Sequence, residues 1–593
     1  MRTPLRPLAR ILKARETGEN PDVIEAENRA RRHAAAQDKA RNRAEGRLLL
    51  LGLMFFCAFI VIGARMGTLA SSVPEEPRAA AEGNPIIGQR SDIVDRNGRL
   101  LATNLDTYSL YAHPHQMVDP VRTATQLAAI FPEMNEERLI ADFTGQRRFL
   151  WLRRQLSPEQ MQAVHDIGSP GLLFGPREMR LYPNGALAAH ILGGARYGRE
   201  GVSSAEVIGV AGVERQFDAF LRDPANEGAP LQLSIDLSIQ AATEQVLAGG
   251  MSLMNAKGAT AVLMDIHSGE IIAMASLPDF DPNNRPQVAT TGDQSDSPLF
   301  NRAVQGVYEL GSVFKIFAVA QAMELGLINA NTMIDTTNPL TWGRFRIRDF
   351  RNYGPQNSAT NVIVKSSNVG TARIAMQIGG ERQRSFLGQL GLLQATPVEM
   401  IEAPTGAPLL PRNWSEISTM TISYGHGLSS SPLHLAAAYA AMVNGGTKVE
   451  PTLLVNPVPT PGPRVVSQAV SDSIVNMLRL TVTEGTASMG DVEGYEVGGK
   501  TGTADKPRAA GGGYYPDKVI ATFASVFPAS DPQYVLIVTL DEPIETSGTE
   551  PRRTAGWTAV PVAAEIIRRT APLLGLRPQM DMGEPVGITL TSN

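Results

Sequence analysis

Three short clusters hold residue types that do chemistry together. In YELGSVFKIFAVAQAMELG, Ser312 and Lys315 stand three apart, and Val313, Ile316, Phe317, Ala320 and Met323 fall at helical spacing before a stop at Gly326. The pair therefore shares one helix face near its N-terminus. A serine hydroxyl is a weak nucleophile and needs a base beside it. A lysine serves when burial or a neighbouring cation favours its neutral amine. The N–H groups of a helix start can receive a developing oxyanion. The second cluster, VKSSNVGTA, sets Ser366 and Asn368 two apart on an expected short loop, a hydroxyl to relay a proton and an amide to bind a substrate carbonyl. The third, VGGKTGTAD, reads as a strand with Lys500 and Gly502 on one face and Thr501 and Thr503 on the other. Gly502 there permits close backbone approach, as at an edge strand beside a ligand. Taken singly, the three also fit a solvated helix start, ordinary turn residues and a plain turn.

The elements that must position these clusters follow from composition. The 593 residues are 43% hydrophobic and 19% charged, enough apolar material for a folded core, and the net charge of -5 gives no support for nucleic-acid binding. Cys57 is the only cysteine, which excludes an intramolecular disulfide and Cys-rich zinc or iron–sulfur sites. No metal or other cofactor is expected. Leu48–Ala64 is uncharged, apolar all round and flanked by Arg47 and Arg65, so a membrane helix is expected over 47–70. Arg and Lys recur through 1–46, whereas 66–90 carries only Arg78 and Arg90. The positive-inside rule then puts a tail of residues 1–46 in the cytoplasm and the rest outside. Residues 71–89 read as a linker opening a non-catalytic module over 71–230. Within it, Asn97-Gly98 marks a hairpin, and Glu136–Phe143, Pro158–Ile167 and Gly212–Leu221 read as helical. A second domain is expected over 231–575, entered by a strand at Leu231–Ile235, a helix to about Leu253 and two strands in Ala259–Ser276. A loose tail, 576–593, follows.

Ser-x-x-Lys, Ser-x-Asn and Lys-Thr-Gly in this order are the signature of penicillin-binding proteins and serine β-lactamases. Together with IVDRNGRLLATN, RLYPNGALAAHILG, GVERQFDAFL, DIHSGEIIAMASLPDFDPNN and SYGHGLSSSPLHLAAAYAAMVNGG, they make the chain resemble the class B penicillin-binding proteins. These are membrane-anchored peptidoglycan D,D-transpeptidases. NRAVQGVYELGSVFK and SSNVGTARIA resemble the cell-division, or septal, member; the elongation member usually has an acidic residue where Asn368 stands. Leu310 departs from the proline common in the family, which bears on the entry to the helix and not on the chemistry.

The resemblance implies an α+β fold: one N-terminal transmembrane helix, an elongated pedestal (dimerisation-type) domain, then a transpeptidase domain with an antiparallel sheet flanked by helices. It implies Ser312 as nucleophile on a D-Ala-D-Ala stem peptide, Lys315 as its base, Ser366 as proton relay and Asn368 as the group orienting the substrate amide. Lys500 would supply positive potential near the substrate carboxylate, with Thr501, Gly502 and Thr503 in the substrate-binding strand. The N–H groups of Ser312 and Thr503 would form the oxyanion hole. Implied partners are stem peptides and lipid-linked nascent glycan, β-lactams as inhibitors, a septal multi-span glycosyltransferase, other divisome proteins and the bacterial inner membrane at the septum. An elongation-type transpeptidase and a non-catalytic penicillin-binding scaffold are the rival readings; a soluble β-lactamase fits poorly with the anchor and the preceding module. Of the remaining candidates, His426 reads as a turn residue, Tyr514 and Tyr515 as either a cleft wall or a surface loop, and Asp349 as a structural ion-pair residue.

Overall fold

The computed structural model describes residues 13, 16–18, 20–71, 90–200, 205–456, 458–508 and 512–579. The expected linker beyond Ser71, most of the segment before residue 20 and the C-terminal tail from residue 580 lie outside the described residues. Helix α1 (Pro21–Ser71) runs unbroken from the Ala/Arg-rich stretch into the apolar one. Within it, Glu45–Gly67 is long and apolar enough to cross a membrane. Its large hydrophobic side chains, among them Leu48, Phe55, Phe59 and Ile62, are half exposed or more. A water-soluble helix would bury such a surface, and lipid is the solvent that suits it, as for a single-pass anchor.

By its internal packing the chain falls into two compact units. One contains α1 together with Ala112–Trp151 and Val164–Leu172, where helices Pro120–Ile130 and Glu136–Thr144 start on the side-chain caps of Asp119 and Asn135. The other takes the described parts of Pro77–Tyr111, Leu152–Ala163 and Leu173–Asn593. Strands β1 (Ile93–Val94) and β2 (Leu100–Ala112) form the hairpin expected at Asn97-Gly98, with Gly98 at φ +80° in the turn. Strands β3 (Leu150–Leu156) and β4 (Leu172–Leu181) also pair with β2, and β5 (Leu231–Gln232) joins β1 in parallel. The regular strand ends at Gln232, and beyond it Leu233 makes an isolated bridge to Leu454, so the strand expected over Leu231–Ile235 is shorter than its alternation suggested.

Ser91–Asn104 and Gly212–Leu221 use their charges internally. Arg90 bonds Glu214 and Asp218, each at 2.7 Å, and Arg180 bonds the other Glu214 oxygen at 2.7 Å. Glu214 is fully buried, so it depends on both arginines. Asp95 accepts from the Asn97, Arg99 and Leu237 N–H groups, tying the hairpin turn to the start of helix α2 (Leu237–Leu253).

The centre of the larger unit is a five-stranded antiparallel sheet. Its strands are β6 (Gly258–Asp265), β7 (Ile271–Leu277), β8 (Gly498–Pro507), β9 (Tyr514–Phe527) and β10 (Tyr534–Asp541), ordered β8-β9-β10-β6-β7. Near-continuous apolar runs bury both faces, because successive side chains point opposite ways. Val262, Met264, Ala524, Val526 and Ile537 pack toward helices α3 (Lys315–Glu324) and α6 (Pro432–Val443). Ala261, Leu263, Phe523, Leu536 and Val538 pack toward α2 and α8 (Ala559–Thr570). Between α3 and α6 in the chain come α4 (Ala359–Val364) and α5 (Asn368–Ile378); α7 (Gln468–Thr483) precedes β8. The fold is thus the expected α+β arrangement of an antiparallel sheet flanked by helices, with β8 at an edge.

Candidate active site

The Ser312 turn is set by what it is pressed against. Gly311–Phe314 is a 3-10 turn leading directly into α3, so Ser312 sits one turn ahead of the α-helix and Lys315 is its first residue. Leu310 is fully buried at the entry. Gly311 takes φ +65°, a conformation costly for any residue with a Cβ. A methyl group on Gly502 would lie 2.2 Å from the Leu310 carbonyl oxygen and 3.0 Å from Val313 Cγ1. Gly502 therefore lets the nucleophile turn lie against edge strand β8. Sequence reasoning identified the close approach but assigned it to a ligand; the element that approaches is the protein's own turn. From the other side, Tyr439 on α6 donates to the Val313 carbonyl at 2.8 Å.

Lys315 and Lys500 are both fully buried and both reach one hydroxyl. Lys315 Nζ lies 3.0 Å from Ser366 Oγ and donates to the Ser366 carbonyl at 2.5 Å. Lys500 Nζ lies 2.9 Å from the same Oγ and donates to the Thr501 carbonyl at 3.1 Å. Ser366 holds φ +61°, a left-handed conformation that costs a non-glycine residue about 1–3 kcal/mol and persists where the surroundings over-determine it. The strain turns its carbonyl and hydroxyl toward the same lysine. Burial lowers the Lys500 amine to about 7. Burial, and then the nearby Lys500 cation, lower Lys315 well below the usual lysine value, with Asp349 opposing. Two ammonium groups cannot share this hydroxyl cheaply, so Lys315 is the neutral member and Lys500 keeps the proton. Ser312 Oγ makes no hydrogen bond among the described residues; the structure joins Lys315 to Ser366 and leaves the nucleophile's hydroxyl free.

The Ser-x-Asn cluster is not the simple loop expected. Ser367 is the N-cap of α5, accepting from the Gly370 N–H, and Asn368 is the first residue of the helix. Asp349 explains this tight start. It accepts from Ser367 Oγ at 2.7 Å, from the Asn368 N–H at 2.5 Å and from the Val369 N–H at 3.0 Å. Asp349 is therefore a capping acceptor and not the ion-pair residue expected; nothing local in RIRDF announces this, because its partners lie about 20 residues on. Asn368 Nδ2 donates to the Arg348 carbonyl at 2.9 Å, leaving Oδ1 to accept from a peptide N–H.

These groups line a cleft of about 820 Å³ with Ser312, Ser366 and Asn368 on one side and Thr501, Thr503 and Asp505 on the other. The Ala555 N–H donates to Thr503 Oγ1 at 3.0 Å, and the Thr486 and Thr501 hydroxyls meet at 2.7 Å, so both strand hydroxyl oxygens are held in place. Sequence reasoning missed the Glu484–Ser488 turn after α7 and the Arg553–Trp557 segment, both lining the cleft. His426, Tyr514 and Tyr515 do not line it. Tyr514 bonds Glu309 at 3.2 Å, His426 stacks edge-on to Tyr514, and Tyr515 lies near Arg508 and Lys518. Another hollow, of about 590 Å³ beside Asn444, Gln468, Arg479 and Asp531, holds none of the three clusters.

Comparison with known proteins matches the penicillin binding protein transpeptidase domain over residues 259–568 and the penicillin-binding protein dimerisation domain over 85–227. The chain is 34% identical over 563 residues to the probable peptidoglycan D,D-transpeptidase FtsI of Caulobacter vibrioides, covering 93% of each. It is 29% identical over 492 residues to the peptidoglycan D,D-transpeptidase FtsI of Escherichia coli K12, covering 77% of this chain and 79% of that one. Among solved structures, penicillin binding protein 3 of Mycobacterium tuberculosis complexed with aztreonam aligns with a TM-score of 0.62 at 26% identity, covering 83% of this chain and 97% of that one.

The buried lysines make a stability prediction. A lysine whose amine is depressed in the fold binds fewer protons folded than unfolded, between about 7 for folded Lys500 and its ordinary 10.5. Stability is then highest above that window and falls as pH drops through it. Urea denaturation should show the protein losing stability from pH 10 to pH 7, and Lys500→Met should lose markedly less. An identical pH slope in the variant would mean that Lys500 titrates normally.

Proposed function

The chain belongs to the class B penicillin-binding proteins, and we propose that it is a septal peptidoglycan D,D-transpeptidase working through an acyl-enzyme on Ser312. The observation that carries the reading is the Ser366 hydroxyl held between Lys315 and Lys500 in a cleft that also contains Ser312. Ser312 Oγ attacks the penultimate D-Ala carbonyl of a donor stem peptide, and its proton goes to neutral Lys315. The Ser312 and Thr503 N–H groups take the oxyanion; the Gly311 and Thr503 backbones are close enough that a Gly311 Cβ would lie 3.2 Å from Thr503 N. As the C–N bond breaks, Ser366 passes a proton to the departing amine of the terminal D-Ala. Asn368 aligns the peptide, while Lys500, Thr501 and Thr503 hold the carboxylate along β8, and Gly502 lets that strand meet the nucleophile turn. A neighbouring stem's amine then attacks the ester, forming the cross-link and freeing Ser312. β-Lactams acylate the same hydroxyl.

The similarity to proteins named FtsI supports the division role over the elongation role. The intact catalytic set supports an enzyme over a scaffold. We read residues 1–46 as a cytoplasmic tail, 47–70 as the inner-membrane span, 71–230 as the pedestal, 231–575 as the periplasmic transpeptidase domain and 576–593 as a tail. The charge asymmetry across the span supports this orientation. Lipid-linked nascent glycan is the substrate source, and a septal multi-span glycosyltransferase is the partner in the membrane. Gly52, Gly63, Ala58 and Ala64 offer small surfaces for another helix to approach.

Two experiments test this. Ser312→Ala should abolish covalent labelling by fluorescent penicillin without loss of fold, and Lys315→Arg should lower labelling by about 100-fold or more, because guanidinium gives up no proton at workable pH. Persistent labelled adduct in Ser312→Ala would remove that residue from the role. Separately, exchanging Leu48–Ala64 for an unrelated apolar helix of equal length should leave labelling normal but delay or block constriction in cells depleted of the native protein. Normal division would reduce the helix to a tether.

A further inference from the structure

Edge strand β8 carries opposite charges toward its two ends, Lys500 near the start and Asp505 near the finish. Side chains alternate along a strand, so Thr501, Thr503 and Asp505 share one face, and all three line the cleft. Each two-residue step along that face is about 7 Å. The Asp505 side chain is exposed, so a ligand can reach it. The cations closest to it in the chain are occupied elsewhere. Lys506, on the opposite face, bonds Asp541 at 2.7 Å and Glu542 at 2.8 Å. Lys518 pairs with Glu542 at 2.9 Å, and Arg508 donates to the Tyr514 carbonyl at 3.1 Å. The neighbouring carboxylate, Glu309, is also spent. Its Oε1 accepts from the Gly427 N–H at 2.7 Å and the Tyr514 hydroxyl at 3.2 Å, and its Oε2 is buried. Asp505 is thus an open, unneutralised carboxylate on the face that carries the two substrate-binding threonines.

The reaction fixes which part of the substrate lies there. The terminal carboxylate of the donor sits by Lys500, Thr501 and Thr503, and the scissile carbonyl points to the Thr503 N–H. Upstream residues of the donor therefore continue toward Asp505. An extended peptide advances about 3.3–3.6 Å per residue, so the residue before the D-Ala pair lies about 7 Å from the terminal one. That distance matches one step along the strand face, from the threonines to Asp505. The second half of the reaction needs a free amine on a neighbouring stem. The amines of the D-Ala pair are locked in peptide bonds, so the free amine belongs to a residue upstream. Donor and acceptor are copies of one peptide, and the donor brings the same ammonium into the cleft. We propose that Asp505 is a specificity-determining residue whose carboxylate receives the side-chain ammonium of the donor stem, upstream of the D-Ala pair. This rests on the transpeptidase reading of the cleft. Charge complementarity then runs along the strand, substrate anion to Lys500 and substrate cation to Asp505, and sets the direction in which the peptide lies.

The test uses the full-length protein in detergent and two penicillins that differ in one group. Both carry a 6-aminohexanoyl side chain, which is a lysyl chain without its α-amine. In one the distal amine is free and charged; in the other it is acetylated and neutral. Second-order acylation rates are measured for the wild type, Asp505→Asn and Asp505→Lys, with melting temperature as a check on folding. The readout is the ratio of the free-amine rate to the acetylated rate. The wild type should show a ratio of about fivefold, the upper range for a pair that stays in water, and it should shrink as salt is added. The ratio should fall to about one in Asp505→Asn and below one in Asp505→Lys. The change should appear in the concentration needed for half-maximal acylation and not in the limiting rate. A ratio that is the same in all three proteins would overturn the proposal, whatever happens to the absolute rates. Wild-type protein that is acylated by neither penicillin would instead refute the transpeptidase reading itself.

Discussion

Two lysine amines reaching one serine hydroxyl inside a dry interior is the constraint on which the rest of the site depends. Burying one ammonium is expensive, and burying two within reach of the same oxygen is more so. The fold resolves this by letting one amine go neutral. Burial depresses both amines, and at Lys315 the nearby Lys500 cation adds to burial while Asp349 opposes it. A base and a cation thus arise from the same residue type, divided by surroundings.

The surrounding packing serves to keep those amines dry and fixed. The central sheet is buried on both faces, α3 buries every residue from Lys315 through Ala322, and α6 buries every residue but Ala437. The nucleophile turn is held between Gly502 on the edge strand and Tyr439 on α6, so Ser312 cannot drift without moving a close-packed core. Asp349 fixes the start of α5 by three hydrogen bonds and thereby fixes the strained Ser366 beside it. Function here is paid for with local strain at one residue, and the capping network is what sustains it.

Much of this was legible in the sequence. The hairpin at Asn97-Gly98, the paired strands around His267–Gly269 and the helix after Ser312 all follow from local periodicity and turn chemistry, and each appears where expected. Ser312, Ser366, Asn368 and Thr501 with Thr503 were legible because their types are chemically sparse and their order is informative, and the structure gathers them in one cleft. Long-range facts were not legible. Asp349 looked like a salt-bridge residue because its true partners are backbone N–H groups, which carry no sequence signal. Ser366 in the left-handed region is equally silent, since serine has no bias toward it. Nothing local in Gly212–Leu221 announces that Glu214 is satisfied by Arg90 and Arg180, both far away in the chain. Charge on a predicted turn reads the same whether its partner is solvent or a buried carboxylate.

The central claim is that one proton serves the two buried lysines. It is tested most directly by NMR of the full-length protein labelled with carbon-13 at lysine Cε, with the two signals assigned through Lys315→Arg and Lys500→Arg. The account predicts two lysines titrating far below 10.5, with Lys315 losing its proton at lower pH than Lys500, and Lys315 rising toward normal when Lys500 is replaced by methionine. Two signals that both remain those of ammonium groups up to pH 10 in the folded protein would contradict it.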